Sequence, residues 1–145
     1  MDLNRNDSVG YLTNWAARLF AREADRKLAA LGLSSGHLPV FFALGSGQAL
    51  SQRELARIAA VEQPTMAATL ARMERDGLIR RKPDPSDGRS ALVFLTPAAL
   101  KKAAEVRKVV TAINGEALGA LSGEERALFL QMLKRVITAL EQAAD

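Results

Sequence analysis

The sequence contains no cysteine and a single histidine, His37. The first absence excludes disulfides, thiolate zinc sites, iron–sulfur clusters and thiol redox sensing. One histidine rules out a multi-histidine metal site within a chain, so no metal or other cofactor is expected. Aromatic residues make up only 5% of the chain. Its core must therefore be aliphatic, which favours helices over a β-sandwich. No stretch approaches the roughly 18 apolar residues of a membrane span. The N-terminal MDLNRNDSVG also lacks the basic and apolar regions of a signal peptide. A soluble cytoplasmic protein is the expectation. A strong charge of one sign is missing too. The net charge is +4, with an excess of +1 over 1–50, +2 over 51–90 and +1 over 91–145. Charge so thinly spread does not mark a nucleic-acid binder, so the arrangement of residues has to.

What is present is ordinary globular composition, 48% hydrophobic and 25% charged over 145 residues, enough for one domain with a real core. Six helices and one hairpin can be read. Leu12, Trp15, Ala16, Leu19, Phe20 and Leu28 give a broad apolar face to a helix from about Val9 to Leu31, ended by Gly32. A second helix covers roughly Gly36–Leu44, capped by Ser34 or Ser35, with Pro39 tolerated near its first turn. Ser51 with Glu54 forms a capping box for the third, whose Leu55, Ile58 and Ala59 are expected to face the core. Pro64 fits the first position of a fourth helix. Met66, Leu70 and Met73 are its buried stripe, and Gly77 is its stop.

There the period changes. Residues 78–82 and 91–95 read as two strands joined by a loop over 83–90, rich in Pro, Asp and Gly. Thr96 and Pro97 open a fifth helix running to about Leu118, and Ser122 with Glu125 opens a last one. The apolar faces of the terminal helices exceed what a small module can cover, which points to a homodimer.

Two short helices followed by a hairpin make a winged helix-turn-helix, whose second helix enters the major groove. At 100° per residue, the stripe Met66–Leu70–Met73 leaves Pro64, Thr65, Ala68, Arg72 and Arg75 pointing away from the core, with Thr69 at the edge. Gln63, Thr65 and Arg72 can donate to bases or phosphates. Ser51 and Arg53, at the start of the preceding helix, complete the candidate DNA-binding set. Arg89 near the hairpin tip, flanked by Arg80, Arg81 and Lys82, suits insertion into a minor groove.

From Leu50 to Thr96 the chain resembles the MarR (multiple antibiotic resistance regulator) family. Asp84-Pro85-Ser86-Asp87-Gly88-Arg89 and the closing Leu95-Thr96 fit that family's D-x-x-D-x-R wing signature and terminal L-T. Met73-Glu74-Arg75-Asp76-Gly77-Leu78-Ile79 matches the stretch joining recognition helix to wing. The resemblance implies a mainly α fold with a small β wing, a single domain over 1–145. Its winged helix-turn-helix would span 34–96, with dimerisation helices over 1–33 and 97–145. It implies a homodimer on a pseudo-palindromic operator, acting as a transcriptional repressor. Arg89 would be the minor-groove arginine, while Asp84 and Asp87 would brace the wing against Arg75 or a wing arginine. Ala67-Ala68 stand where many relatives carry polar or basic residues, so fewer direct base contacts are expected.

The resemblance also implies release of DNA by a small aromatic anion bound between dimerisation helices and winged module. Trp15 and Arg18 on the first helix, with His37 and Phe41 on the second, offer an aromatic face and a cation. A core or interface role for Trp15 and a local hydrogen bond for His37 are the competing readings. The rival function is a winged helix used for protein contact. An enzyme is not expected from a chain with no cysteine, one histidine and no phosphate-binding glycine loop.

Overall fold

Side-chain caps from Ser8, Ser51, Thr96 and Ser122 set four of the six α-helix starts among the described residues. In the computed structural model, which describes residues 3–145, the Ser8 hydroxyl accepts from the Tyr11 N–H and opens α1 (Val9–Leu28). A 3-10 turn follows, and Gly32 ends it at φ 71°, a left-handed geometry that costs glycine little. The chain then turns through Ser34–His37 into α2 (Leu38–Leu44). That turn is pinned to α1 by the Ser35 N–H, which donates to Asp25 Oδ1 at 2.6 Å. Beyond it come β1 (Ala49–Ser51), α3 (Gln52–Ala59), α4 (Gln63–Arg75), β2 (Ile79–Asp84), β3 (Asp87–Leu95), α5 (Pro97–Ala117) and α6 (Gly123–Ala143).

The fold is mainly helical with a small antiparallel sheet of order β1-β3-β2. Strand β1 was not legible in the sequence. Its three residues Ala-Leu-Ser are poor strand formers, and they are extended because Leu50 pairs with Val93, far along the chain. The hairpin is also longer than expected. The pairing runs regularly to Pro83↔Ala91, shifts register there with 88–90 bulged out, and resumes at Asp84↔Asp87, leaving only Pro85-Ser86 as the turn instead of a loop over 83–90. Proline is tolerated there because β2 lies at the sheet edge, where a missing N–H breaks no central ladder.

Leu28, Val40, Leu44, Leu70, Met73 and Val93 are fully buried and define the core of the winged module. Helix α3 presents Leu55 and Ala56 to it, while Ile58 is 46% exposed. The inward arc runs through 52, 55, 56 and 59, and a small alanine takes the place expected for isoleucine. Only half of the Ser51–Glu54 box forms among the described residues: the Ser51 hydroxyl accepts from the Glu54 N–H at 3.2 Å. Pro64 occupies the second position of α4, after Gln63. The stop of α4 is a Schellman turn, with the Leu78 N–H donating to the Met73 carbonyl and the Gly77 N–H to that of Glu74.

The chain divides into two units, one up to Val110 and one from Thr111 to Asp145. In the second, Ser122 and Glu125 make the full reciprocal box that opens α6. Among the described residues no single helix is long and apolar enough to cross a membrane.

Candidate nucleic-acid interface

Helix α4 turns a continuous face to solvent. Gln63, Pro64, Thr65, Ala68, Arg72 and Arg75 are exposed, Thr69 is half-buried, and Met66, Leu70 and Met73 are buried beneath them. The Thr69 hydroxyl donates to the Thr65 carbonyl 3.2 Å away, so its hydrogen is committed to the helix itself.

The arms of the wing stand beside the starts of α3 and α4. Between them lies a cleft of about 420 Å³ that brings together Ser51, Gln52, Arg53, Gln63, Arg81 and Arg89, with the carboxylates of Glu54, Asp84 and Asp87 also in its lining. Two helix N-termini and three guanidinium groups thus border one concavity. Each N-terminus contributes partial positive charge and unpaired N–H groups. Arg53, Arg72 and Arg89 have no carboxylate within ion-pair distance among the described residues.

The wing is braced locally. Asp84 Oδ1 accepts from the Ser86 N–H at 2.9 Å and from its hydroxyl at 2.8 Å. The Ser86 N–H, followed by the Ser86 hydroxyl, holds the Asp84 carboxyl below its usual value. Asp87 Oδ1 accepts from the Arg89 N–H at 3.0 Å. Both carboxylates are thus engaged with N–H groups of the turn, and Arg75 does not reach them: its Nε lies 3.5 Å from Asp76. The ion pair that joins α4 to the wing is Glu74 with Arg81, at 3.6 Å. Sequence reasoning missed it, although opposite charges flanking the Gly77 stop were its visible trace. On the same strand the Lys82 ammonium sits 5.5 Å from the centre of the Phe94 ring.

The four ligand candidates are differently employed. Phe41 is 5% exposed and belongs to the core. His37 Nδ1 accepts from the Ser34 N–H at 2.9 Å and closes the turn into α2. Trp15 is exposed, with the Arg5 guanidinium 5.4 Å over its ring and Tyr11 edge-on at 6.2 Å. Arg18 is exposed on α1. Sequence reading also passed over Gly32-Leu33-Ser34-Ser35-Gly36, which has the G-x-S-x-G spacing of a hydrolase nucleophile elbow. That motif needs a strand-to-helix turn, whereas these residues link two helices and His37 Nδ1 already serves the Ser34 N–H.

A model of the MarR family matches residues 31–90, the segment that contains helices α2–α4 and most of the wing. The transcriptional regulator HosA of Escherichia coli O111:H- is 36% identical over 107 residues, 74% of this chain and 79% of its own length. The chain belongs to the MarR family. Relatives and family alike are transcriptional regulators, not enzymes, and this MarR-family chain is a regulator too. Its fold also matches that of a MarR mutant from Escherichia coli complexed with operator DNA. The two share 23% identity over 94% of this chain and 99% of that one, with a TM-score of 0.82. The PcaV regulator from Streptomyces coelicolor, in complex with its natural ligand, matches with a TM-score of 0.84 at 24% identity, covering 97% of this chain and 99% of that one.

Proposed function

We propose that this MarR-family regulator binds double-stranded DNA as a homodimer and represses transcription from a pseudo-palindromic operator. The observation that carries the reading is the exposed face of α4 over its buried stripe, with Gln63 at its start sharing one cleft with Arg53 and Arg89, and with Arg53, Arg72 and Arg89 in no ion pair among the described residues. Phosphates neutralise such arginines and release counterions, which supplies sequence-independent affinity. Helix α4 in the major groove and Arg89 in the adjacent minor groove supply the readout. Gln63, Thr65 and Arg72 are the polar contacts on α4, and Ser51 with Arg53 meets the backbone at the start of α3. That a MarR protein of the same fold was solved with operator DNA supports the DNA-binding reading.

The exposed apolar residues of α1 and α6 support a dimer (Leu12, Trp15 and Leu19 on one; Phe129, Ile137 and Leu140 on the other). Release by a small aromatic anion completes the proposal. It is supported by the ligand-bound PcaV relative and by Arg18, the candidate cation, which is exposed on α1.

A mobility-shift titration on the chain's own upstream intergenic DNA, at several salt concentrations, tests the reading. A shift that survives unrelated competitor DNA and weakens steeply with salt is expected. Arg89→Ala weakens duplex binding in many sequence contexts and reduces the salt slope by about one. Arg72→Ala costs about 1–3 kcal/mol and relaxes operator preference. Equal operator binding by both variants and the unsubstituted protein would favour a winged helix that contacts protein instead.

A further inference from the structure

The first two turns of α4 carry almost no hydrogen-bonding capacity on their outer side. Between Gln63 and Arg72 the sequence is Pro-Thr-Met-Ala-Ala-Thr-Leu-Ala, without a guanidinium, ammonium, carboxamide or carboxylate. Pro64, Ala68 and Ala71, spaced four and three apart, fall on one line of the helix, and all three are exposed. The hydroxyl hydrogen of Thr69 is committed to the Thr65 carbonyl, so it has no proton to offer a base acceptor. The first charged side chain of α4 is Arg72, in its third turn, followed by Glu74 and Arg75. In a helix-turn-helix the N-terminal residues of the second helix are those that meet base edges. Here these residues offer methyl and methylene groups, apart from the Gln63 amide and the Thr65 hydroxyl.

Only one group in the major groove is complementary to such a surface. Thymine presents its C5-methyl there, whereas guanine, adenine and cytosine present donors and acceptors alone. Pressing alanine against a guanine edge strips water from O6 and N7 and gives nothing back, the costly case of a polar group left unpaired. Small side chains also let the helix axis come closer to the groove floor than an arginine-bearing helix can. We infer that Pro64, Ala68 and Ala71 read thymine C5-methyl groups. The base pairs facing the first two turns of α4 are then A·T pairs selected through apolar contact. The inference rests on α4 being the groove-facing helix of the proposed interface and names what that interface reads.

The test begins with duplexes selected from a random library by repeated binding to the full-length protein. The best duplex is resynthesised with deoxyuridine, which lacks the methyl, or with 5-bromodeoxyuridine, whose bromine fills the same space. Selected half-sites are expected to carry thymines opposite α4. Deoxyuridine at those positions lowers affinity about three- to fourfold for each contacted methyl, the equivalent of ~0.8 kcal/mol per buried carbon. The bromo analogue restores it. Ala68→Ser reduces the thymidine-to-deoxyuridine affinity ratio while leaving the salt slope unchanged, a split that general loss of folding would not produce. Equal affinity for thymidine and deoxyuridine duplexes overturns the inference, as does a selected half-site with G·C pairs opposite α4. Failure to select any duplex at low salt overturns the interface reading itself, and this inference with it.

Discussion

The Thr96 hydroxyl donates to the Gly77 carbonyl at 2.7 Å and accepts from the Ala99 N–H at 3.2 Å. One buried side chain therefore satisfies the backbone on both sides of the wing: the stop of α4 and the first turn of α5. Thr96→Val keeps the shape and removes both bonds, leaving a carbonyl and an N–H without partners. A loss of about 1–3 kcal/mol is expected, seen as a lower urea midpoint with an unchanged slope. An unchanged midpoint would mean that water replaces the hydroxyl. Ala60, between α3 and α4, illustrates the opposite situation. It holds φ 54° without being glycine, a strained geometry accepted so that the two helices of the module stay close.

At the scale of elements the wing turn has a titration of its own. The Ser86 N–H, then the Ser86 hydroxyl, depress the Asp84 carboxyl below its ordinary value. A depressed folded value means that the ionised form favours the closed turn. The contribution is complete above the unfolded carboxylate range, near pH 4, and disappears as pH falls through the depressed value. In an NMR titration the Ser86 amide resonance should move with a midpoint below 3.8, the ordinary value for aspartate, and hold still in Asp84→Asn. A midpoint at or above 3.8 would contradict the observed bonding. Much of the element pattern was legible in the sequence, because caps and glycine stops act within a few residues of one another. Ser122 with Glu125 and Gly77 after Met73 are cases in point. The D-x-x-D-x-R pattern located the wing, and helical spacing separated the buried stripe of α4 from its outer face. Strand β1 and the Glu74–Arg81 pair were not legible in the same way. Both depend on partners brought near only by the folded hairpin, and the burial of Ala56 in place of Ile58 depends on which arc of α3 meets the core.

Over the whole molecule the largest unexplained quantity is exposed apolar surface on the terminal helices. Leu140 is 67% exposed, and Trp15, Leu19, Phe129 and Ile137 are each above 40%. Surfaces of this kind are buried by association in stable proteins. Light scattering should therefore give twice the 15.6 kDa chain mass. Ile137→Glu combined with Leu140→Glu should shift the mass towards that of a single chain and abolish tight binding to a two-fold operator. A single-chain mass for the unsubstituted protein would overturn the dimer.

The sheet itself has a further consequence. With β3 in the middle, β2 leaves one long side of backbone N–H and C=O groups without a neighbouring strand. An open strand of that length invites another chain to add to it, the first step of many aggregates. Here that strand reads Ile-Arg-Arg-Lys-Pro-Asp: three consecutive cations that repel a second copy, then a proline that cannot donate. If the wing meets DNA as proposed, the same cations would serve a second purpose, discouraging strand-to-strand association of copies along this edge.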